Sequence, residues 1–316
     1  MGKKITIHIT GESFMFELNK ILVIIESGVE KQPALERARQ LAKYSEAELE
    51  LFIAEHSTYL EDGFYFEPVR ARELRREHGE KNLAVLEEMA QPLRENGLEV
   101  SCATAWGNPP YEEIIRRVDE LKPDLVIKST RHHERLARLV LGNEDWELIR
   151  YCPAPLLLAK DQDWDFHPRF IAAVDPEHSH DKPASLDHKL IQVAGYMAAV
   201  SDGLVHLYHS THLPPLAGMY PIESDYQVDS AKIRDLGAQY DIAQAQCHVS
   251  GADISTSLSE LTADLRASAV VMGAVSRSRL DRMLIGNTAE RLLDRLECDV
   301  LVVKPDAANS HDKILL

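Results

Sequence analysis

Toward the end of the chain, Gly273-Ala-Val-Ser276 is followed by Gly286-Asn287-Thr288, which opens a helical pattern. These residue types suit anion binding. Glycine lets the main chain approach a phosphate closely, and the free N–H groups of a helix N-terminus, with its dipole, favour negative charge. Asn287 and Thr288 add side-chain donors, or one of them simply caps the helix. As a bare pattern, a turn glycine followed by an N-cap would read the same way. Asp175 closes the apolar run FIAAVD that begins at Phe170.

Other chemistry finds less support. No Gly-x-Ser-x-Gly elbow, His-Glu-x-x-His helix or Walker Gly-x4-Gly-Lys-Ser/Thr loop occurs, so no catalytic residue is assigned. Without a Walker lysine or a base beside the phosphates, any ATP hydrolysis should be slow. The chain has 14 histidines. His206, His209 and His212 recur at every third position, His178 and His180 flank a serine, and His132 and His133 are adjacent. The triplet runs off a strand into a loop, and no Cys or regular Asp spacing completes a tetrahedral set. Hydrogen-bonded or surface histidines, and no metal, are expected.

The elements that must position these residues come from a repeat. ILVIIE from Ile21 answers to FIAAVD from Phe170, and QPALERARQLA from Gln32 to KPASLDHKLIQVAGYMA from Lys182. LKPDLVIKST (Leu121–Thr130) answers to LRASAVVMGA (Leu265–Ala274). The final pair aligns without a gap, Gly142 over Gly286 and Lys160 over Lys304. Each copy alternates strand and helix. Strands are predicted near 21–25, 49–54, 98–104, 124–128 and 155–159, then 169–174, 203–208, 245–249, 269–273 and 299–303. Helices are predicted near 33–44, 69–95, 109–121 and 143–151, then 183–200, 226–240, 253–265 and 287–297. Wholly apolar first and last strands are those of a sheet buried on both faces. The alternation implies two α/β domains with parallel sheets and right-handed crossovers. The polar stretch 160–168 separates them, giving domains at 15–162 and 167–306.

Composition narrows the class of partner. With 35 Lys+Arg against 51 Asp+Glu, a formal charge of −16, the long-range field opposes nucleic acid and anionic lipid. It does not exclude an anionic ligand held by local N–H groups. No apolar run approaches a membrane span, and the first twenty residues lack the features of a signal peptide. The four cysteines, Cys102, Cys152, Cys247 and Cys298, are widely spaced and form no disulfide or zinc pattern. A cytoplasmic protein is expected.

On these residues the second half resembles the universal stress protein domain, whose nucleotide signature is Gly-x2-Gly-x9-Gly followed by Ser or Thr. Gly273, Ser276, Gly286 and Asn287 fall on those positions, and Asp175 on the acid that meets the adenosine end of ATP. The resemblance extends from Glu17 to Pro305 and is to the tandem members of the family. It implies a doubly wound five-stranded parallel sheet of order 3-2-1-4-5 in each half, with helices on both faces. It also implies halves paired through their last strands as a pseudo-twofold dimer, which could pair again as a homodimer. The implied ligand is ATP or another adenine nucleotide, with Mg²⁺ as a companion, bound through Asp175, Gly273, Ser276, Gly286, Asn287 and Thr288. Two departures stand out: Ser276 replaces the second glycine, and Asn287 replaces the Ser/Thr.

The first half departs further. Its matching stretch is taken as Lys128-Ser-Thr-Arg131 followed by Gly142-Asn143-Glu144, so the leading glycine is Lys and the second Arg. Lys128 and Arg131 could attract an anion, whereas Glu26 and Glu144 would oppose it. This half is expected to be degenerate, kept for pairing and stability. Alternatively it holds a pocket for another ligand beneath the long charged helix. For the whole chain, the leading expectation is a non-catalytic nucleotide-binding stress protein. The alternatives are a binding module for a small apolar or acyl ligand, with vestigial phosphate sites, and a slow ATPase. Residues 1–14 lie outside the resemblance, and the tail after Pro305 reads as disordered.

Overall fold

The structure, a computed structural model, describes residues 16–56, 68–130, 132–133, 138–139, 141–176, 184–211, 226–274, 292–293 and 295–305. The first half runs β1 (Lys20–Ile24), α1 (Pro33–Ser45), β2 (Glu48–Glu55), α2 (Pro68–Glu95), β3 (Val100–Trp106), α3 (Pro110–Leu121), β4 (Leu125–Ser129), the short pair β5 (His132–His133) and β6 (Arg138–Leu139), α4 (Asn143–Tyr151) and β7 (Leu156–Ala159). The second half runs β8 (Arg169–Ala173), α5 (Ala184–Ser201), β9 (Leu204–Ser210), α6 (Tyr226–Ala238), β10 (Cys247–Ser250), α7 (Ile254–Leu265), β11 (Ala269–Gly273) and β12 (Asp299–Val303). The helix predicted at 287–297 lies largely outside the described residues.

Local chemistry explains several boundaries. Pro33 and Pro110 begin α1 and α3, where a missing N–H costs nothing. Asp253 caps α7 by accepting the Thr256 N–H at 3.2 Å. Each half forms a parallel sheet of order 3-2-1-4-5: β3-β2-β1-β4-β7 in the first and β10-β9-β8-β11-β12 in the second. The apolar central strands read as buried runs because helices cover both faces. Along one face Ile21, Val23, Ala172, Val174 and Val271 pack beneath α1 and α5. Along the other, Leu22, Ile24, Ile171 and Val270 pack with Val118 and Leu258 of α3 and α7.

The two sheets join into one of ten strands through β7 and β12, which are antiparallel. Leu157 pairs with Leu301, flanked by Leu158 with Val300 and Leu156 with Val302. These are equivalent positions of the repeat, so the pseudo-twofold passes through the Leu157–Leu301 pair. The lysines that follow are exchanged. Lys160 Nζ donates to the Leu296 carbonyl of the second half, while Lys304 Nζ donates to the carbonyls of Arg150 and Cys152 at 2.8 and 2.6 Å. In the first half these carbonyls end α4, where a cation satisfies them and opposes the helix dipole.

A buried ion pair adds a second tie. Arg37 of α1 donates to Asp299 Oδ2 at 2.6 Å, and both side chains are about fully enclosed, 2% and 1% exposed. Asp299 also accepts the Lys160 N–H at 2.7 Å and the Trp164 Nε1–H at 2.8 Å. Such a pair is sustained only when its remaining valences are met, as here.

Candidate functional site

In open α/β sheets a ligand binds beyond the carboxyl ends of the strands, where strand order reverses. In the second half that point lies between β8 and β11, which pair in parallel with Ala173 beside Met272. Side chains alternate along a strand. Ile171, Ala173 and Met272 pack on the α7 face, whereas Ala172, Val174 and Val271 pack under α5. The ladder continues through Val174, whose N–H donates to the Tyr208 carbonyl at 2.9 Å. Asp175 therefore follows Ala173 on the α7 face, and it is buried. Its N–H donates to Asp187 Oδ2 at 3.0 Å, so a carboxylate in the first turn of α5 fixes the main chain at the strand end.

Gly273 ends β11, as the sequence predicts. A Cβ at Gly273 would lie 2.7 Å from Leu186 Cδ2. Any side chain there would have to push the tip of Leu186 aside, a packing reason for glycine that is independent of any ligand. Ser276, Gly286, Asn287 and Thr288 lie outside the described residues, as does the Arg131 of the first half.

The first half requires one correction. Ile127 pairs with Leu157 and Val271 with Leu301, and Leu157 and Leu301 are the central pair of the junction. Ile127 is therefore equivalent to Val271, Lys128 to Met272 and Ser129 to Gly273. The repeat pairing of Leu121–Thr130 with Leu265–Ala274 already places Lys128 over Met272, whereas the motif reading set Lys128 on the leading glycine, one residue out of register. A one-residue slip exchanges the faces of a strand, and the two side chains do go opposite ways. Ser129 Oγ accepts the Ala34 N–H at 3.1 Å at the start of α1. Lys128 goes to the other face.

There Lys128 is buried among carboxylates. Its Nζ lies 2.8 Å from Asp145, 3.3 Å from Glu26 and 3.5 Å from Glu144. Burial pulls the ammonium toward neutrality, but Asp145, Glu144 and Glu26 outweigh it and hold the pKa above the ordinary lysine value. Asp145 Oδ2 also accepts the Gly142 N–H at 2.9 Å, which closes the N-terminus of α4 with the chain's own carboxylate. Glu26 is fixed in turn, since Gln32 exchanges two hydrogen bonds with its main chain, at 2.7 and 3.3 Å. Asp145 thus occupies the N-terminus of α4, and Lys128 neutralises it. Sequence reading named Lys128, Glu26 and Glu144 but missed Asp145; an acid three residues after Gly142 is the capping signal that could have found it.

Two histidines of the triplet are described, and both are buried. His209 Nδ1 donates to the Val174 carbonyl at 3.1 Å, on the α5 face and hence on the opposite side of the sheet from Asp175. His206 Nδ1 lies 3.0 Å from His248 Nε2 across β9 and β10. His212, like His178 and His180, lies outside the described residues. Among the described residues no group of three or more His, Cys, Asp or Glu side chains is arranged to hold a metal ion.

A double-wound repeat, a pseudo-twofold through the fifth strands and a switch point closed by an acid define a class, and comparison with known proteins agrees. The chain belongs to the universal stress protein family, whose profile matches residues 17–160 and 179–304. It is 29% identical over 296 residues to universal stress protein E of Escherichia coli K12, an alignment covering 90% of this chain and 94% of that one. Among solved structures, a putative universal stress protein from Pseudomonas aeruginosa UCBPP-PA14 superposes with a TM-score of 0.73 at 30% identity, covering 92% of this chain and 94% of that chain. A universal stress protein from Archaeoglobus fulgidus shares the fold, with a TM-score of 0.68 at 16% identity over 92% of this chain and 99% of that chain. The chain is therefore a tandem universal stress protein. Among the described residues no helix is long and apolar enough to cross a membrane.

Proposed function

We propose that the second half binds an adenine nucleotide, ATP or a close relative, and retains it without fast turnover. Asp175 takes the sugar end. The polyanion lies on the main-chain amides of Gly273 and Gly286–Thr288, with Ser276 and Asn287 adding side-chain donors and Mg²⁺ accompanying the phosphates. The observation that carries this proposal is the contrast between the halves. Lys128, Glu144 and Asp145 close the switch point of the first half with an internal ion cluster. At the equivalent positions the second half has Met272, Thr288 and Ala289, none of them charged. Asp175 remains as a buried acid at the end of the first strand of this half, and a helix N-terminus without an internal carboxylate would suit a phosphate.

With no Walker lysine and no assigned base, bound nucleotide would act through shape or partner affinity. The first half serves pairing and stability, and its site takes no nucleotide. Mass spectrometry of the freshly purified and denatured protein tests the proposal directly. An adenine nucleotide should be released, and from an Asp175→Ala preparation markedly less. A protein that releases none, and gives no calorimetric heat with ATP–Mg²⁺, would contradict it.

A further inference from the structure

The nucleotide proposal leaves unused a pair of imidazoles at the outer edge of the second half. His206 of β9 and His248 of β10 stack with ring centroids 5.3 Å apart and planes inclined by 22°. Nδ1 of the first lies 3.0 Å from Nε2 of the second. Only one of these nitrogens can carry the shared proton. His206 is 7% exposed, and its Nε2 is buried without a hydrogen-bond partner. A charged His206 would therefore bring a second N–H into a place that offers no acceptor.

Among the described residues the surroundings supply no counter-ion. Tyr208, beside His248 in the strand register, bonds through its hydroxyl to Ser257 of α7 at 2.6 Å. Leu258 and Leu261 of α7 pack on this face, while Glu260 is exposed and Asp264 is exposed. On β8 the nearest charge is Arg169, a cation, which lies 3.8 Å from Asp165. Asp253, at the cap of α7, is committed to Thr256 and Ser255. In the first half the equivalent of His206 is Glu50, beside Leu22 as His206 is beside Ile171. Glu50 is gripped by Arg117 through two contacts of 2.6 Å, so the two edges are built differently.

We infer that the His206–His248 contact is an acid-sensitive latch that holds edge strand β10 to β9. One proton can be accepted on the outer Nδ1 of His248 while its Nε2–H donates to His206. A second proton sets N–H against N–H, and the contact opens. Burial, then the His248 charge and Arg169, lower His206 to about 4, and burial lowers His248 as well. In an opened edge both rings return toward about 6.5. The open form then binds more protons than the closed one, so closure weakens as pH falls from about 6.5 toward 4. Opening exposes the N–H and C=O groups of β9 to another strand.

Hydrogen exchange on the full chain, corrected for the intrinsic pH dependence, tests the latch. Protection of the amides of Cys247–Ser250 should fall about tenfold or more between pH 7 and pH 4.5, relative to β3 at the opposite edge. In the double variant His206→Gln, His248→Gln the fall should vanish. Unchanged protection in the parent protein, or the same acid loss in the variant, would overturn the inference. Imidazole nitrogen NMR of the parent protein provides a check that needs no variant: His206 titrating near 6.5 would overturn it too.

Discussion

Lys128 and Met272 occupy equivalent places in the two halves, one place before the end of the fourth strand and on the same face of the sheet. The lysine is 2.8 Å from Asp145 and lies against Glu26 and Glu144. The methionine pairs with Ala173, two residues before Asp175. One repeat has thus been filled from within, while the other carries an uncharged Met272 at the equivalent place.

Replacing Lys128 by Met should leave three carboxylates facing one another in a buried place. Breaking a buried pair by removing one partner costs about 3–5 kcal/mol. Denaturant unfolding should show a loss of this size. Nucleotide bound per chain should not rise, because Asp145 still closes α4.

Arg37→Met should cost about 3–5 kcal/mol for the same reason, since Asp299 would be left in a dry interior. The double variant Arg37→Met, Asp299→Leu should recover most of it. Unfolding midpoints of the two variants decide this, and a double variant as weak as the single would mean that the hydrogen bonds of Asp299 dominate.

Gly273→Val separates packing from binding. A Cβ there comes within 2.7 Å of Leu186 Cδ2, and overpacking of this kind costs about 1–3 kcal/mol. Leu186→Ala in the same chain should relieve part of that loss by making room. If the glycine also serves a ligand, nucleotide affinity should stay low in the relieved variant.

Lys304 gives a pH signature. Burial lowers its ammonium to about 8 from an ordinary 10.5. Between those values the unfolded chain binds more protons, so stability should rise as pH climbs from about 8 toward 10.5. Lys304→Met should lack this rise. Urea midpoints measured at intervals between pH 7.5 and 10 would show the two curves diverging in favour of the parent protein.

The fold was legible in the sequence because burial on both faces writes itself as apolar runs such as Ile21–Ile25 and Val300–Val303, and because prolines mark helix starts. The strand order came from the family resemblance and is found in both halves. What escaped was pairing over distance. Arg37 reads as a surface residue of a charged helix, and nothing nearby announces Asp299, which closes the second half. His248 carries no sign that it meets His206. The slip at Lys128 lay in the motif reading alone: the repeat, with KST over MGA, already pairs Lys128 with Met272, and the strand register agrees. Gly273 was read as a phosphate residue, and the packing of Leu186 against it was not visible in the sequence.

Calorimetric titration of the nucleotide-free protein with ATP–Mg²⁺ bears most directly on the unequal halves. One molecule should bind per chain, and Asp175→Ala should abolish the heat while Lys128→Met leaves the number of sites at one. Two equal sites, or no heat at all, would contradict a filled first half beside an open second one.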